Sequence, residues 1–134
     1  GIIVTNTPGV LDEEVADTAL GLLLNTVREF PAAERHLRAG AWAQAPYPLT
    51  ASLRNKMLGI LGLGRIGKAI ATRCEAFGLT IAYHSRRKQD DVSYPYYDSL
   101  IAMARDVDIL MSVAPGGAST SSEARPRAWS GARS

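Results

Sequence analysis

Met57-Leu58-Gly59-Ile60-Leu61-Gly62-Leu63-Gly64-Arg65-Ile66-Gly67 is the stretch on which the reading of this chain turns. A near-continuous apolar run leads straight into a glycine loop, and such a run suits a strand buried on both faces of a parallel sheet. Beyond the loop, Ile66, Ala69, Ile70, Arg73, Cys74 and Phe77 share one helical stripe, with Gly78 as the stop signal. A lone Gly-x-Gly-x-x-Gly says little, but between a strand and a helix its glycines acquire separate jobs. Gly62 allows the tight turn, Gly64 lets a pyrophosphate approach the backbone, and Gly67 permits close helix–strand packing. The N–H groups that open the helix, aided by its dipole, then face an anion. Gly62, Leu63, Gly64, Arg65, Ile66 and Gly67 are therefore the candidate dinucleotide-binding residues.

Working outward, Leu79 to Tyr83 reads as a second strand. Leu100, Ile101 and Ala104 mark a short helix, and Val107 to Val113 a further buried strand ending at Ala114-Pro115. Strand and helix alternating at this spacing imply an α/β fold with a parallel sheet and right-handed crossovers. The expected architecture is a Rossmann-type doubly wound parallel sheet, incomplete within this chain. Upstream, Ile2-Ile3-Val4 reads as a strand closed by the turn Asn6-Thr7-Pro8-Gly9. Asp12 is placed to cap a helix over residues 12–29, with Glu13 and Glu14 in its first turn and Val15, Ala16, Ala19, Leu20, Leu23, Leu24 and Val27 on its apolar face. Pro31 opens a second helix that runs to Gly40. Residues 41–55 read as a loop docked by Trp42. The domain division expected is a strand, two helices and a linking arm at 1–55, a partial dinucleotide-binding domain at 56–120 and an aberrant tail at 121–134.

The composition narrows the function classes. The 134 residues are 46% apolar and 21% charged, which is ordinary for one folded domain. A net charge of +2 is too small to point to nucleic acid or an anionic membrane as partner, and no apolar run approaches the ~20 residues of a membrane span. The single cysteine, Cys74, excludes an internal disulfide and fits a reducing, cytoplasmic setting. The chain opens at Gly1 inside a strand-like run, as a piece of a longer protein would. Residues 121–134 turn abruptly to Ser, Arg, Ala and Gly without periodicity, so that tail is expected to be disordered and to reflect a frameshifted or mis-assembled reading frame.

The end of the second strand bears on which dinucleotide is bound. An NAD site usually places Asp or Glu about 20 residues beyond the glycines, on the ribose 2′-hydroxyl. Here the chain reads Tyr83-His84-Ser85-Arg86-Arg87-Lys88. No carboxylate stands there to repel a 2′-phosphate, Ser85 can donate a hydrogen bond, and Arg86 and Arg87 supply charged forks. NADP is the expected cofactor. The alternative is NAD, with the basic turn merely solvated and Asp90 or Asp91 on the ribose.

Val4-Thr5-Asn6-Thr7-Pro8, Glu14-Val15-Ala16-Asp17, Gly40-Ala41-Trp42 and the glycine loop, in that order, resemble the D-isomer-specific 2-hydroxyacid dehydrogenases. Ser85-Arg86-Arg87 looks most like their NADP-dependent glyoxylate/hydroxypyruvate and hydroxyphenylpyruvate reductase branch. The resemblance covers about residues 1–120. It implies a homodimeric reductase of small 2-oxo acids, dimerised through the helix at 12–29 and the arm around Trp42. It also implies that Ser85 to Arg87 hold the 2′-phosphate and that Ala114 and Pro115 line the adenine-side pocket. The family's carboxylate-gripping arginine, its glutamate and its acid–base histidine would all follow residue 120, and nothing here matches them. No catalytic or metal-binding residue is therefore assigned, and His36, His84 and Cys74 are not expected to substitute. A catalytically inactive dinucleotide-binding module, like the corepressor relatives of the family, is the alternative. A short-chain dehydrogenase would need a Tyr-x-x-x-Lys pair, which Tyr83 and Arg87 only imitate.

Overall fold

The computed structural model describes residues 9–114. The expected strand at Ile2-Ile3-Val4, Pro115 and the tail at 121–134 lie outside the described residues. The elements are helices α1 (Asp12–Val27) and α2 (Phe30–Arg38), strand β1 (Met57–Leu61), helix α3 (Arg65–Ala76), strands β2 (Thr80–His84) and β3 (Tyr96–Tyr97), helix α4 (Leu100–Asp106) and strand β4 (Ile109–Ser112). All strand pairs are parallel, in the order β3-β2-β1-β4. That is the 3-2-1-4 portion of a Rossmann sheet, as the alternating pattern predicts.

The central strands are β1 and β2, and their apolar side chains make the core. Leu58, Ile60, Leu63, Ile70, Met103, Cys74 and Tyr83 are all essentially inaccessible. Each buried aliphatic side chain contributes about 1.5–3 kcal/mol relative to exposure. α3 turns Gly67, Ile70, Ala71 and Cys74 onto the sheet. Its predicted stripe is narrower than expected: Phe77 is 39% exposed, and Arg73 points sideways to Glu13 and Asp17 of α1. Gly59 faces α4, where an added Cβ would lie 3.0–3.2 Å from Val107 and Met103. At the start of β1, Asp108 accepts from the Met57 N–H at 2.9 Å and from Lys56 Nζ at 2.8 Å; β4 begins at Ile109 rather than Val107, whose N–H closes α4 on the Met103 carbonyl at 3.0 Å.

Several boundaries differ from the sequence expectation for physical reasons. Asp12 does not cap α1. Leu11 occupies that position without a side-chain bond, because the Asp12 carboxylate is engaged by Arg65. The helix stops at Val27, and Glu29 adopts a left-handed conformation (φ 52°) before α2. Val15 is 40% exposed, so the α1 contact rests on Ala16 and Leu23 with Ala19, Leu20, Leu24 and Val27 at its margin. Trp42, in a short 3-10 turn (Ala41–Ala43), is 65% exposed and does not dock the following loop. β2 is displaced by one residue to Thr80–His84. β3 carries no periodic signal because it is only two residues long and depends on its pairing with β2.

Cys74 is fully enclosed, and burial pushes its thiol up to about 11. The thiolate is the reactive form. In the folded chain Cys74 is therefore expected to resist maleimide at neutral pH and to react rapidly once urea unfolds the protein. Fast labelling without denaturant would show that α3 lifts from the sheet.

Candidate functional site

The glycine loop projects from the C-terminal end of β1, beside the end of β2. Gly62 has φ 95°, a conformation that disfavours any side chain, and a Cβ there would also meet the Ala114 backbone at 3.0 Å. Its N–H donates to the His84 carbonyl at 2.8 Å, so the two strand ends are pinned to each other. A Cβ on Gly67 would sit 2.4 Å from the Gly62 carbonyl oxygen; the helix can leave the sheet here only because that atom is missing. Gly64 is different. Its backbone is extended (φ −80°, ψ −163°), and a Cβ would meet no protein atom within 4 Å. The space a side chain would occupy is open, and it opens onto a cleft of about 290 Å³ lined by Asp12, Gly62, Gly64, Arg65, Ile66, Gly67 and Val113.

The chemistry of that cleft suits an anion. α3 carries no acidic residue in its first turn, and the N–H groups of Gly64, Arg65 and Ile66 have no acceptor among the described residues. Orphan N–H groups at a helix start bind phosphate oxygens. A dinucleotide pyrophosphate fits these residues: an open position at Gly64, converging N–H groups and the positive end of a helix. The Leu63 side chain is buried in the core, so this residue faces the loop only through its backbone, and its carbonyl accepts from Gln89 Nε2 at 2.9 Å. Arg65 donates from Nε to Asp12 at 2.8 Å, which places a carboxylate at the cleft that the sequence reading did not foresee.

The basic turn begins where β2 ends. Arg86 and Arg87 are exposed, and neither has a carboxylate within salt-bridge distance among the described residues. The Ser85 hydroxyl donates to the Arg87 carbonyl at 2.6 Å, so in this structure it shapes the turn. Asp91 pairs with Lys68 of α3, whose hydrogen bond holds its carboxyl below the usual carboxylate range. Asp91 is thus tied to α3 instead of standing free at the strand end. Ala114 sits beside Gly62 at the ends of β1 and β4.

The remaining candidates have structural occupations. His84 Nδ1 bonds to the Tyr97 carbonyl at 2.8 Å. His36 is not simply solvated: its Nε2 meets the Ala45 carbonyl at 2.9 Å and its ring meets the edge of Tyr47. Tyr83 is buried and bonded to Gln89, which gives it no access to a substrate. Among the described residues there is no cluster of metal-ligating side chains and no helix long and apolar enough to cross a membrane. No motif signals the Asp12–Arg65 or the Gln89–Leu63 bond, since each joins residues far apart in the chain.

The family model for the NAD-binding domain of D-isomer specific 2-hydroxyacid dehydrogenases matches residues 20–123. The chain belongs to this family. It is 48% identical over 115 residues to glyoxylate/hydroxypyruvate reductase A of Arabidopsis thaliana and 44% identical over 115 residues to hydroxyphenylpyruvate reductase of Plectranthus scutellarioides. Each alignment covers 86% of this chain and 37% of the relative. Among solved structures, an NADPH-dependent glyoxylate/hydroxypyruvate reductase of Sinorhizobium meliloti, in complex with NADP and malonate, matches with a TM-score of 0.82 and 55% identity. That match covers 89% of this chain and 38% of the other. The chain thus spans a little over a third of the length of these relatives.

Proposed function

We propose that this chain is the cofactor-binding part of an oxidoreductase that reduces a small 2-oxo acid, of the glyoxylate or hydroxypyruvate type, to the D-2-hydroxy acid with NADPH. The observation that carries the choice of NADPH is the pair of exposed guanidinium groups, Arg86 and Arg87, on the turn beside the glycine loop, neither paired with a carboxylate among the described residues. The names of the similar reductases support the substrate class.

In this reading the backbone from Gly62 to Gly67 holds the pyrophosphate, with the Arg65 guanidinium at its flank. Ser85, Arg86 and Arg87 hold the 2′-phosphate, and Ala114 and Pro115 border the adenine. When bound, the nicotinamide supplies hydride to the substrate carbonyl. The chain's own residues bind and orient; the groups that grip the substrate carboxylate and supply the proton belong to other segments of a reductase, so the chain alone is expected to be inactive. The division into a linking and dimerising region at 1–55, a cofactor domain at 56–120 and a separate tail at 121–134 belongs to the same proposal. So does a cytoplasmic homodimer: α1 and the following arm present Val15, Leu22 and Trp42 to the surface.

Calorimetric titration of the chain with NADPH and NADH tests the cofactor assignment. A charge-assisted bond contributes about 1.5–3 kcal/mol, so NADPH is expected to bind at least about tenfold more tightly. Equal or tighter binding of NADH would overturn it.

A further inference from the structure

The pyrophosphate cradle and the basic turn are joined by a residue that belongs to neither motif. Gln89 Nε2 donates to the Leu63 carbonyl in the glycine loop at 2.9 Å. Its backbone N–H donates to the Tyr83 hydroxyl at 2.8 Å, and Tyr83 is fully buried in β2 with its ring 5.4 Å from that of Tyr96. The far end of the turn is therefore anchored twice, once to a core tyrosine and once to the glycine loop. The near end is held by the Gly62 N–H on the His84 carbonyl and by the Tyr96 hydroxyl on the Ser85 carbonyl at 3.3 Å. Among the described residues, the Gln89 side chain makes the one hydrogen bond that joins residues 86–89 to the glycine loop.

We infer that Gln89 is a positioning residue for cofactor discrimination, setting the spacing between the pyrophosphate cradle and the 2′-phosphate turn. The inference rests on the NADPH reading above. A 2′-phosphorylated dinucleotide must engage both elements at once, whereas its unphosphorylated counterpart engages only the cradle. With the tether in place the turn is ordered before binding. Without it, ordering the turn becomes a cost of association, and that cost falls on the ligand that touches the turn. The loop itself keeps its other supports, the Gly62 N–H on the His84 carbonyl at 2.8 Å and the Lys68 N–H on the Gly64 carbonyl at 2.9 Å.

The test is calorimetric titration of the wild-type chain and of Gln89→Met with NADPH and NADH. Methionine keeps the length and apolar stem of glutamine but lacks the donor. Losing one hydrogen bond is expected to weaken NADPH about fivefold and NADH less than about twofold, so the preference narrows. Tyr83→Phe, which removes the hydroxyl that receives the Gln89 N–H and leaves the ring, is expected to narrow it in the same direction. This second variant decides the matter if Gln89→Met does not fold. Three results would overturn the inference. A wild-type chain without NADPH preference removes the reading of the basic turn and the inference with it. A wild-type preference that both variants retain in full removes the role of Gln89 alone. Equal weakening of both cofactors reduces Gln89 to a support of the glycine loop.

Discussion

Replacing Arg86 and Arg87 together by alanine is expected to lower NADPH affinity by about two orders of magnitude and to leave NADH affinity within about twofold. Both side chains are exposed, and among the described residues neither makes a hydrogen bond or an ion pair with a carboxylate. Their charge is available to a ligand, and a guanidinium binds phosphate through paired N–H donors. The fold should not respond, since surface substitutions away from caps and ion pairs usually change stability by less than about 0.5 kcal/mol. The measurement is the ratio of the two dissociation constants, with thermal unfolding as the control. Raised salt should also erode NADPH binding in the wild type more than in the variant, because an exposed ionic contact is screened. An unchanged ratio would return the turn to the role of a solvated basic surface.

The second large effect separates two glycines of one motif. Gly67→Ala drives a methyl to within 2.4 Å of the Gly62 carbonyl oxygen, a backbone atom that cannot swing aside. Forcing the helix away from the loop costs about 1–3 kcal/mol and lowers Tm by roughly 5–20 °C. NADPH and NADH are expected to be lost together, because the turn that aims the N–H groups is displaced. Gly64→Ala meets no protein atom, and its extended backbone accepts any residue. Its Tm should hold or rise slightly, since alanine loses less chain entropy on folding than glycine. Both cofactors should nevertheless weaken at least about tenfold, as the methyl occupies space assigned to the pyrophosphate. Gly64→Ala with wild-type binding would show that no phosphate lies against that residue. A Gly67→Ala chain as stable as wild type would show that α3 can tilt without cost.

The contrast between these glycines shows how far one motif can be read from its letters. Gly-x-Gly-x-x-Gly after an apolar run announced a strand, a turn and a helix, and β1, the loop and α3 stand there. It assigned Gly67 to helix–strand packing, and a Cβ there would meet the Gly62 carbonyl oxygen at 2.4 Å and the Ile60 side chain of β1 at 3.5 Å. Other parts were not legible. Asp12 had every local feature of a helix cap, yet its carboxylate is bonded to Arg65 on another helix. Ser85 read as a phosphate donor, and its spacing gave no sign that its hydroxyl also donates to the Arg87 carbonyl of its own turn. Trp42 looked like an anchor and is largely exposed. In each case a polar or aromatic group had more than one possible partner, and local spacing does not choose between them.

Element type, the buried faces of β1 and α3, the backbone demands of the loop and the absence of an acid at the end of β2 follow from neighbours a few residues apart. Steric limits on φ and ψ and the periods of helix and strand act over that range. The neighbours of β1 on either side, the junction of α1 with α3 through Arg73, Glu13 and Asp17, the two-residue β3 and the tether from Gln89 to Leu63 depend on how finished elements stack. Those contacts join residues far apart in the chain, and their energies exist only once packing brings the groups within hydrogen-bond distance. The glycine loop and the helix it opens were therefore visible in the order of the amino acids, and their attachment to the basic turn only in the folded chain.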